Sequence, residues 1–366
     1  MTSTQSKPLH GKGRECVITR RACFSSSHRY WLPEKTPEEN LSLFGNCSIA
    51  PGHGHNYELI VSMGGELDSD GMVLNLSDVK HSIKDKVTGQ LDFRFLNDVW
   101  PEFNVDNQEG ILPTTEALVK VIWSRLKDDL PLTSLRLYEN PNLWADYFGK
   151  NMEAFLTVQT HFAAAHRLAK EEISFDENKK IYGKCARVNG HGHNYLVDIT
   201  VKGEIDKRTG MVCDLSALQE IINDLVVEQL DHTFLNKDIE FFQNCVPTAE
   251  NIALYISDIL KNPIHELGAT LHKIRLQEII NDLVVEQLDH TFLNKDIEFF
   301  HNCVPTAENI ALYISDILKK PIHNLGATLH KIRLQESPNN AAEIYVDQKL
   351  TNSLKLKLEN SLVTQT

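Results

Sequence analysis

The pattern of apolar and polar residues predicts the same opening for both halves of the chain. Residues 15–21 and 152–160 alternate apolar with polar side chains or are rich in β-branched ones, which is typical of a half-buried strand. Residues 57–63 and 195–202 have the same character. We expect each of these later segments to pair with the earlier one as an antiparallel strand.

A helix is predicted next in each half. It ends near Leu91 in the first half and near Leu230 in the second, where apolar residues recur at helical spacing (Leu218, Ile221, Ile222, Leu225 and Val226). The predicted N-caps are Ser77, and Asp214 or Ser216.

A second helix and two further strands complete the pattern. The helix is predicted at residues 115–126 and 249–260, after a Pro-Thr-x-Glu sequence that resembles a capping box. Strands are predicted at residues 134–138, at 271–276 or 329–334, and at 343–347. The order ββααββ predicts an α+β fold in which each half is a four-stranded antiparallel sheet with two helices on one face.

The chain also repeats itself. Phe24, His28, Cys47, His53 and His55 recur 138 residues later as Phe162, His166, Cys185, His191 and His193 (166 − 28). After a one-residue slip the offset is 139, which pairs Asp92 with Asp231 and Glu139 with Glu278. Such similarity at a fixed offset indicates two copies of one structural unit.

A second repeat is much more recent. Residues 219–276 and 277–334 are consecutive blocks of 58 residues that differ only at Gln243/His301, Asn262/Lys320 and Glu266/Asn324. Each block contains a helix pair and one strand, so the two blocks compete for one place in the fold. We expect the later strand to form a hairpin with the final strand because that pairing is local, and the surplus helices to pack outside. The sequence leaves open which block supplies the inner helices, and whether the duplication is an error in the gene.

These observations divide the chain into four parts. They are a polar tail (1–14), a first unit (15–145), a second unit that includes both blocks (152–349), and a C-terminal tail (350–366).

Composition and charge disfavour a nucleic-acid-binding, membrane-anchored or secreted protein. The formal net charge of −13 disfavours binding to nucleic acid. No apolar run reaches the roughly 18 to 20 residues that span a bilayer, and residues 1–14 lack the apolar stretch of a secretory signal. Seven cysteines without a CxxC pair fit reduced thiols. We therefore expect a cytoplasmic protein without a membrane anchor.

Histidines provide the main chemical signal. In a strand, residues i and i+2 point to the same face, so His53 and His55, like His191 and His193, present two imidazoles side by side. The third histidines, His28 and His166, lie near the end of the preceding strand. Three imidazoles without a fourth protein ligand are typical of catalytic zinc. A lone His-x-His is more often structural, but here the whole triplet recurs in diverged halves.

Other polar residues accompany each triplet. Cys47 and Cys185 lie six residues before their His-Gly-His, where a thiolate could remove a proton beside a zinc-bound oxygen. Aspartate next to histidine can orient the imidazole and favour its charged form; this pair occurs at Asp231-His232 and its copy Asp289-His290, whereas the first unit has Asp92-Phe93. Glutamates that end the third strand are suited to the N–H edge of a flat heterocycle (Glu139, Glu278 and Glu336).

Together these motifs resemble the 6-pyruvoyl-tetrahydropterin synthase family. The resemblance rests on Phe-Ser-Ser-Ser-His-Arg, on Phe-Gly-Asn-Cys-(x5)-His-Gly-His-Asn-Tyr, on Leu-Asp-His-Thr-Phe-Leu-Asn, on Pro-Thr-Ala-Glu-Asn and on Arg-Leu-Gln-Glu, over about residues 15–140 and 152–347. It implies the tunnelling fold, in which sheets of several subunits close into a barrel. It also implies conversion of 7,8-dihydroneopterin triphosphate to 6-pyruvoyl-tetrahydropterin with loss of triphosphate.

The resemblance assigns roles to residues. It implies zinc on His166, His191 and His193, Cys185 as general base, and Asp231 with His232 activating it across a subunit boundary. It implies that Glu278 or Glu336 anchors the pterin, and that Thr248 and Glu250, or Thr306 and Glu308, line the pterin pocket. By the same pattern His28, His53, His55, Cys47 and Glu139 form the first-half site, with Phe93 in place of the catalytic histidine.

Several alternatives remain open at this stage. A 6-carboxy-tetrahydropterin synthase uses the same zinc site, although the five residues between cysteine and His-Gly-His favour the biopterin branch. A non-catalytic zinc or pterin binder is suggested by Phe93 and by the duplicated block. A homo-oligomer with sites between units is expected, and mixed sites in which Cys47 is served by His232 or His290 are a hypothesis. The size of the oligomer and the involvement of magnesium at the triphosphate stay undecided.

Overall fold

The computed structural model describes residues 15–69, 71–106, 109–278, 298–301, 303–324, 326–337 and 340–346. The strands are β1 Glu15–His28, β2 His53–Glu66, β3 Arg94–Phe95, β4 Leu132–Asn140, β5 Leu143–Tyr147, β6 Glu153–His166, β7 His191–Glu204, β8 Thr233–Phe234, β9 Thr270–Glu278, β10 Lys331–Ser337 and β11 Asn340–Tyr345. The α-helices are α1 Pro37–Phe44, α2 Leu76–Ile83, α3 Gly89–Leu91, α4 Leu96–Val99, α5 Thr115–Leu126, α6 Phe175–Tyr182, α7 Leu215–Ile222, α8 Glu228–Leu230, α9 Leu235–Asp238, α10 Glu240–Gln243, α11 Ala249–Glu266 and α12 Ala307–Asn324.

One continuous sheet connects the long strands in the order β10-β11-β1-β2-β4-β5-β6-β7-β9. Every neighbouring pair in this order is antiparallel, and the short β3 and β8 run parallel to β1 and β6. The predicted α+β class with antiparallel pairing is therefore confirmed. The strands β5 and β6 pair across the junction of the two halves, so both halves share one sheet.

The helices pack on one face of this sheet. In β2 the alternate residues Leu59, Val61 and Met63 are fully buried, as the alternation of side chains along a strand requires. Leu118 and Ile122 of α5 are equally buried in the same core cluster. The opposite face of the sheet is polar and lines a hollow of about 640 Å³, in which the ion pairs Arg136–Asp146 and Arg275–Asp198 connect neighbouring strands.

The helix starts correct two details of the sequence prediction. Asn75, rather than Ser77, caps α2, because its side chain accepts from the N–H of Ser77; Asp214 caps α7 as expected. Thr114 and Thr248 cap α5 and α11 by accepting from the third helical residue. That residue is Ala117 in α5, so Glu116 does not close a capping box there.

Two helices were not predicted, although the sequence contains the capping pattern that marks their starts. In α1 and α6 the N-caps Thr36 and Ser174 form capping boxes with Glu39 and Glu177. These residues are the Ser/Thr-x-x-Glu pattern that marks helix starts. Both helices lie in the loop between the first two strands of their half and lead directly to Cys47 and Cys185.

The duplicated block occupies two different places. The first block supplies α7, α8, α11 and β9, which complete the second half on β7. The predicted hairpin forms between β10 and β11, but it pairs with β1 at the far end of the sheet rather than with the second half. The expectation of four strands in each half therefore holds only for the first half. Among the described residues the second half has three long strands. The helix expected at the start of the second block falls on residues 279–297, outside the described ones.

Contacts between the halves involve one loop of the second. Arg208, between β7 and α7, forms a bidentate ion pair with Glu34 and donates to the carbonyl oxygens of Val105 and Gly110. Thr114 donates to the carbonyl oxygen of Gly210. No helix among the described residues has the length and apolar character needed to cross a bilayer.

Candidate functional site

Three histidines converge in the first half. β1 and β2 are paired so that His28 lies directly opposite His53, and His55 follows on the same face of β2. Nε2 of His28 is 3.0 Å from Nε2 of His53. One ring nitrogen of each of the three histidines lies within 4.8 Å of the others. The sequence prediction that these side chains form one group is therefore correct in geometry.

The second half reproduces this arrangement. His166 lies opposite His191, their Nε2 atoms are 3.1 Å apart, and His193 completes the group within the same 4.8 Å. The ring centroids of His166 and His193 are 5.1 Å apart, as are those of His28 and His55. The two halves have diverged widely, yet they conserve this geometry within a few tenths of an ångström.

The surroundings of the rings suit a metal ion. Nδ1 of His28 lies 3.2 Å from the carbonyl oxygen of Pro113, and Nδ1 of His166 lies 2.8 Å from that of Pro247. A proton held on Nδ1 by a carbonyl leaves the lone pair on Nε2, the tautomer that a metal ligand needs. Burial lowers the pKa of His28 to about 3 and that of His166 to about 4, so both rings are neutral at physiological pH.

An unsatisfied atom points to the same conclusion. Nε2 of His55 is buried without a hydrogen-bond partner, and the nearest carboxylate oxygen, on Glu139, is 3.4 Å away. A buried polar atom without a partner is costly unless a ligand satisfies it. Three imidazole nitrogen donors match zinc better than the oxygen-preferring magnesium or calcium.

The two candidate bases lie beside the histidines. Sγ of Cys47 is 4.0 Å from Nε2 of His53, and Cys185 occupies the equivalent position in a short 3₁₀ helix before β7. Burial, and then the charge of Glu139, raise the pKa of the Cys47 thiol. The protein groups around Cys47 therefore oppose the thiolate. A cation bound to the histidines would act in the opposite direction.

The Asp231-His232 pair has the expected internal geometry. Nδ1 of His232 is 2.7 Å from Oδ2 of Asp231, whose other oxygen accepts from the N–H of Ala163. The backbone of His232 is left-handed (φ 57°), which directs its side chain outward, where it is 85% exposed. Phe93 has the same backbone (φ 56°) and is 86% exposed. Within one chain, the side chains of His232 and Phe93 therefore both face solvent.

Glu139 is held in place beside the first histidine group. Its Oε2 accepts from Oγ1 of Thr115 over 2.5 Å, and its Oε1 faces His55. Nearby, burial raises the pKa of Glu116 to about 7 although the N–H of Val212 donates to it. The start of α5 in the first half and the β7–α7 loop of the second half are thus in direct contact.

The second half differs at these positions. Ala249 replaces Thr115, so Glu278 at the end of β9 lacks the corresponding hydroxyl donor. Thr248 caps α11, and Glu250 lines an open groove of about 420 Å³ between α11 and β9. The histidine groups of the two halves are alike, whereas the threonine hydroxyl that holds the adjacent glutamate is present only in the first.

Two of the duplicated candidates have a described position. Thr306 and Glu308 are at the start of α12, against the first half and away from both histidine groups. Asp289 and His290 lie outside the described residues, and the side chain of Glu336 is not described.

Several residues of the site were not predicted from the sequence. Tyr57 and Tyr195 lie two residues after each His-Gly-His, and their hydroxyls approach Nδ1 of His28 and His166 at 3.3 and 3.4 Å. Their place on the same strand face was available as a signal. Val212 was not foreseeable as a partner, because its main-chain N–H reaches Glu116 only through the contact between halves.

Comparisons with known proteins agree with these features. The model of the 6-pyruvoyl tetrahydropterin synthase family matches residues 17–150, 155–282 and 275–347. A 6-pyruvoyl tetrahydrobiopterin synthase of Pongo abelii is 42% identical over 137 residues, 37% of this chain and 93% of the relative. A putative 6-carboxy-5,6,7,8-tetrahydropterin synthase of Archaeoglobus fulgidus is 35% identical over 126 residues, 34% of this chain and 89% of the relative.

Solved structures give a related result. The Caenorhabditis elegans 6-pyruvoyl tetrahydropterin synthase structure is 40% identical, and the match covers 35% of this chain and 91% of that one with a TM-score of 0.34. The family model alone matches most of the chain, and it matches the histidine groups of both halves. The chain therefore belongs to the 6-pyruvoyl tetrahydropterin synthase family.

Proposed function

We propose that this protein is a 6-pyruvoyl-tetrahydropterin synthase, a lyase that converts 7,8-dihydroneopterin triphosphate to 6-pyruvoyl-tetrahydropterin and triphosphate. The observation that carries the proposal is the recurrence of three converging imidazoles in both halves, with the thiol of Cys47 4.0 Å from Nε2 of His53 in the first half. Family membership and the similarity to tetrahydrobiopterin synthases support it.

Zinc is the proposed cofactor. His28, His53 and His55 would hold one ion, and His166, His191 and His193 a second. Bound zinc would polarise an oxygen of the substrate side chain and so acidify the adjacent C–H.

The residues of this chain supply the remaining functions. Cys47 or Cys185 removes a proton from the side-chain carbon next to the one that bears the triphosphate; the electron pair forms a C=C bond between these two carbons, and the C–O bond to the triphosphate breaks. The redox change stays within the substrate, so no nicotinamide is required. Glu139 accepts hydrogen bonds from the N–H edge of the pterin, while Thr115 holds that carboxylate in position.

Asp231 and His232 serve as a proton relay to the cysteine of another chain. Their exposure supports this role, because a side chain that is 85% exposed is free to enter a neighbouring site. The protein would then act as a cytoplasmic homo-oligomer with its sites between units. The proposed units are residues 15–145 and 152–349, and the β10–β11 hairpin of the second lies on the first.

Product analysis with 7,8-dihydroneopterin triphosphate tests the proposal. The zinc-loaded protein is expected to release one triphosphate for each 6-pyruvoyl-tetrahydropterin formed, and the Cys47→Ala, Cys185→Ala double variant to release none while still binding zinc. Formation of a 6-carboxy product would assign the protein to the other branch. Zinc bound at full stoichiometry without triphosphate release would identify a non-catalytic binder.

A further inference from the structure

The two histidine groups are followed by different side chains. Tyr30 and Leu168 occupy equivalent positions, each two residues after the first histidine of its group (168 − 30 = 138). The main chain is the same in both halves, because the N–H of Tyr30 donates to the carbonyl oxygen of Cys47 over 2.9 Å and that of Leu168 donates to that of Cys185 over 3.0 Å. The first half therefore places a phenol where the second half places an aliphatic side chain.

The ring of Tyr30 packs against the first histidine group. Tyr30 is only 7% exposed, and the centroid of its ring is 4.9 Å from that of His28 in an edge-to-face arrangement. The ring also lies 6.1 Å from that of Phe44. Tyr30, Phe44 and Leu112 belong to one buried cluster, against which Cys47 packs. The phenol is thus held beside both the imidazoles and the candidate base.

The contact between the halves supports this cluster. Met211, from the second half, packs against it, and the next residue, Val212, donates its main-chain N–H to Glu116. In the second half the exposed Lys170 stands at the position of Leu32, another member of the cluster (170 − 32 = 138). The surroundings that hold Tyr30 in place are therefore specific to the first half.

The hydroxyl of Tyr30 lies close to the polar residues of the first site. Burial, and then the charges of Glu139, Tyr57, Glu116 and Cys47, raise the pKa of Tyr30 well above its usual value. Neighbouring charges have such effects over a few ångströms. The hydroxyl is therefore near the carboxylate of Glu139, the group to which the pterin edge is assigned above.

This hydroxyl has no hydrogen-bond partner among the residues that the structure describes. The groups around it are engaged elsewhere, since Glu139 accepts from Thr115 and the hydroxyl of Tyr57 approaches His28. A buried tyrosine hydroxyl usually has a partner. An occupant of the site would provide one.

We propose that Tyr30 is a substrate-binding residue of the first-half site, and that its hydroxyl donates a hydrogen bond to the pterin ring. A pterin carries acceptor atoms, a ring nitrogen and a carbonyl oxygen, on either side of the N–H edge that faces Glu139. Leu168 cannot donate such a bond, so the two sites of one chain bind pterins with different affinities. The inference rests on the proposed function, from which it takes the class of substrate.

The first-half site should bind pterins more tightly than the second-half site. It has two hydroxyls that the second lacks, because Leu168 and Ala249 replace Tyr30 and Thr115. The ring of Tyr30 is already fixed by packing, so little conformational freedom is lost on binding. A single hydrogen bond of this kind changes Kd about fivefold.

Equilibrium binding of neopterin to the zinc-loaded, full-length protein tests the proposal. Neopterin has the pterin ring but no triphosphate, so binding is measured without turnover. In a Glu278→Ala background, which leaves the first-half site, Tyr30→Phe should raise the Kd about fivefold. Phenylalanine retains the packing of the ring against His28, so the change reports the hydroxyl, and bound zinc should stay the same.

The matched control is the same substitution in the other background. In Glu139→Ala, which leaves the second-half site, Tyr30→Phe should not change the Kd. A loss of equal size there would mean that the substitution acts on the fold rather than on a contact in the first site, and would overturn the proposal.

Two further outcomes separate this inference from the proposed function. Equal affinities with and without the Tyr30 hydroxyl in the Glu278→Ala background would refute the inference and leave the proposed function intact. Failure of the parent protein to bind neopterin at all would contradict both.

Discussion

The carboxylate of Glu116, in the first half, accepts a hydrogen bond of 3.1 Å from the main-chain N–H of Val212, in the second. Glu116 is only 4% exposed, and burial raises its pKa to about 7. Because Glu116 is buried at the junction of the two halves, the protonation of its carboxylate is coupled to the contact between the halves.

The stability of the chain should therefore fall as the pH rises through the range of this titration. The pKa of Glu116 is raised on folding, so its contribution is fully present below the unfolded value of 4.5 and is lost as the pH approaches 7. The loss should be about 3 kcal/mol. Urea unfolding between pH 4.5 and 7.5 measures it.

Glu116→Gln is the control for this pH dependence, because the amide oxygen can still accept from Val212. Its free energy of unfolding should vary less with pH over the same range. Equal slopes for the variant and the parent would show that Glu116 is not the group responsible.

Zinc stoichiometry should report the two histidine groups separately. His53→Ala should reduce bound zinc from two ions per chain to one, His191→Ala should do the same, and the double variant should bind none, since two imidazoles rarely retain zinc. Elemental analysis of dialysed protein gives the counts. Loss of both ions on a single substitution would mean that the groups are not independent.

Thr115 should contribute to substrate binding through Glu139. Thr115→Ala removes the hydrogen bond to Oε2 of Glu139, which should raise KM about fivefold for sites of the first half, as expected from about 1 kcal/mol. The measurement is made in a Cys185→Ala background, where only those sites remain. Ala249→Thr in a Cys47→Ala background is the reciprocal variant and should lower KM.

Replacing His232 and His290 together should stop turnover. If sites are completed by the Asp-His pair of another chain, His232→Ala combined with His290→Ala should abolish triphosphate release without changing bound zinc. Phe93→His, on a backbone that already matches that of His232, should raise activity in the parent. Retained turnover in the double variant would exclude a catalytic role for both histidines.

Much of the site was predictable because its signals are local. The spacing His-x-His places two rings on one strand face, and antiparallel pairing brings His28 opposite His53. The helices α5 and α7 followed from periodicity and caps. The fold class followed from the order of elements, which the repeat displays twice.

Other features, which depend on contacts between distant parts of the chain, could not be predicted from the sequence. Glu116 looked like part of a capping box, but it faces Val212 because the loop of the second half lies across the helix start. The hairpin of β10 and β11 was predictable, whereas its place beside β1 was not. Nothing local distinguishes α11 from α12, which share almost the same residues and bury opposite faces.

The sequence by itself determined the two strands that open each half, the helices α5 and α7, the two histidine groups and the resemblance to the family, since each depends on residues a few positions apart or on a pattern repeated within the chain. The tertiary structure alone decided where each duplicate lies and which face of its helix is buried. The physical reason is that two nearly identical segments have the same local preferences. Only the surface against which each one packs can give them different positions.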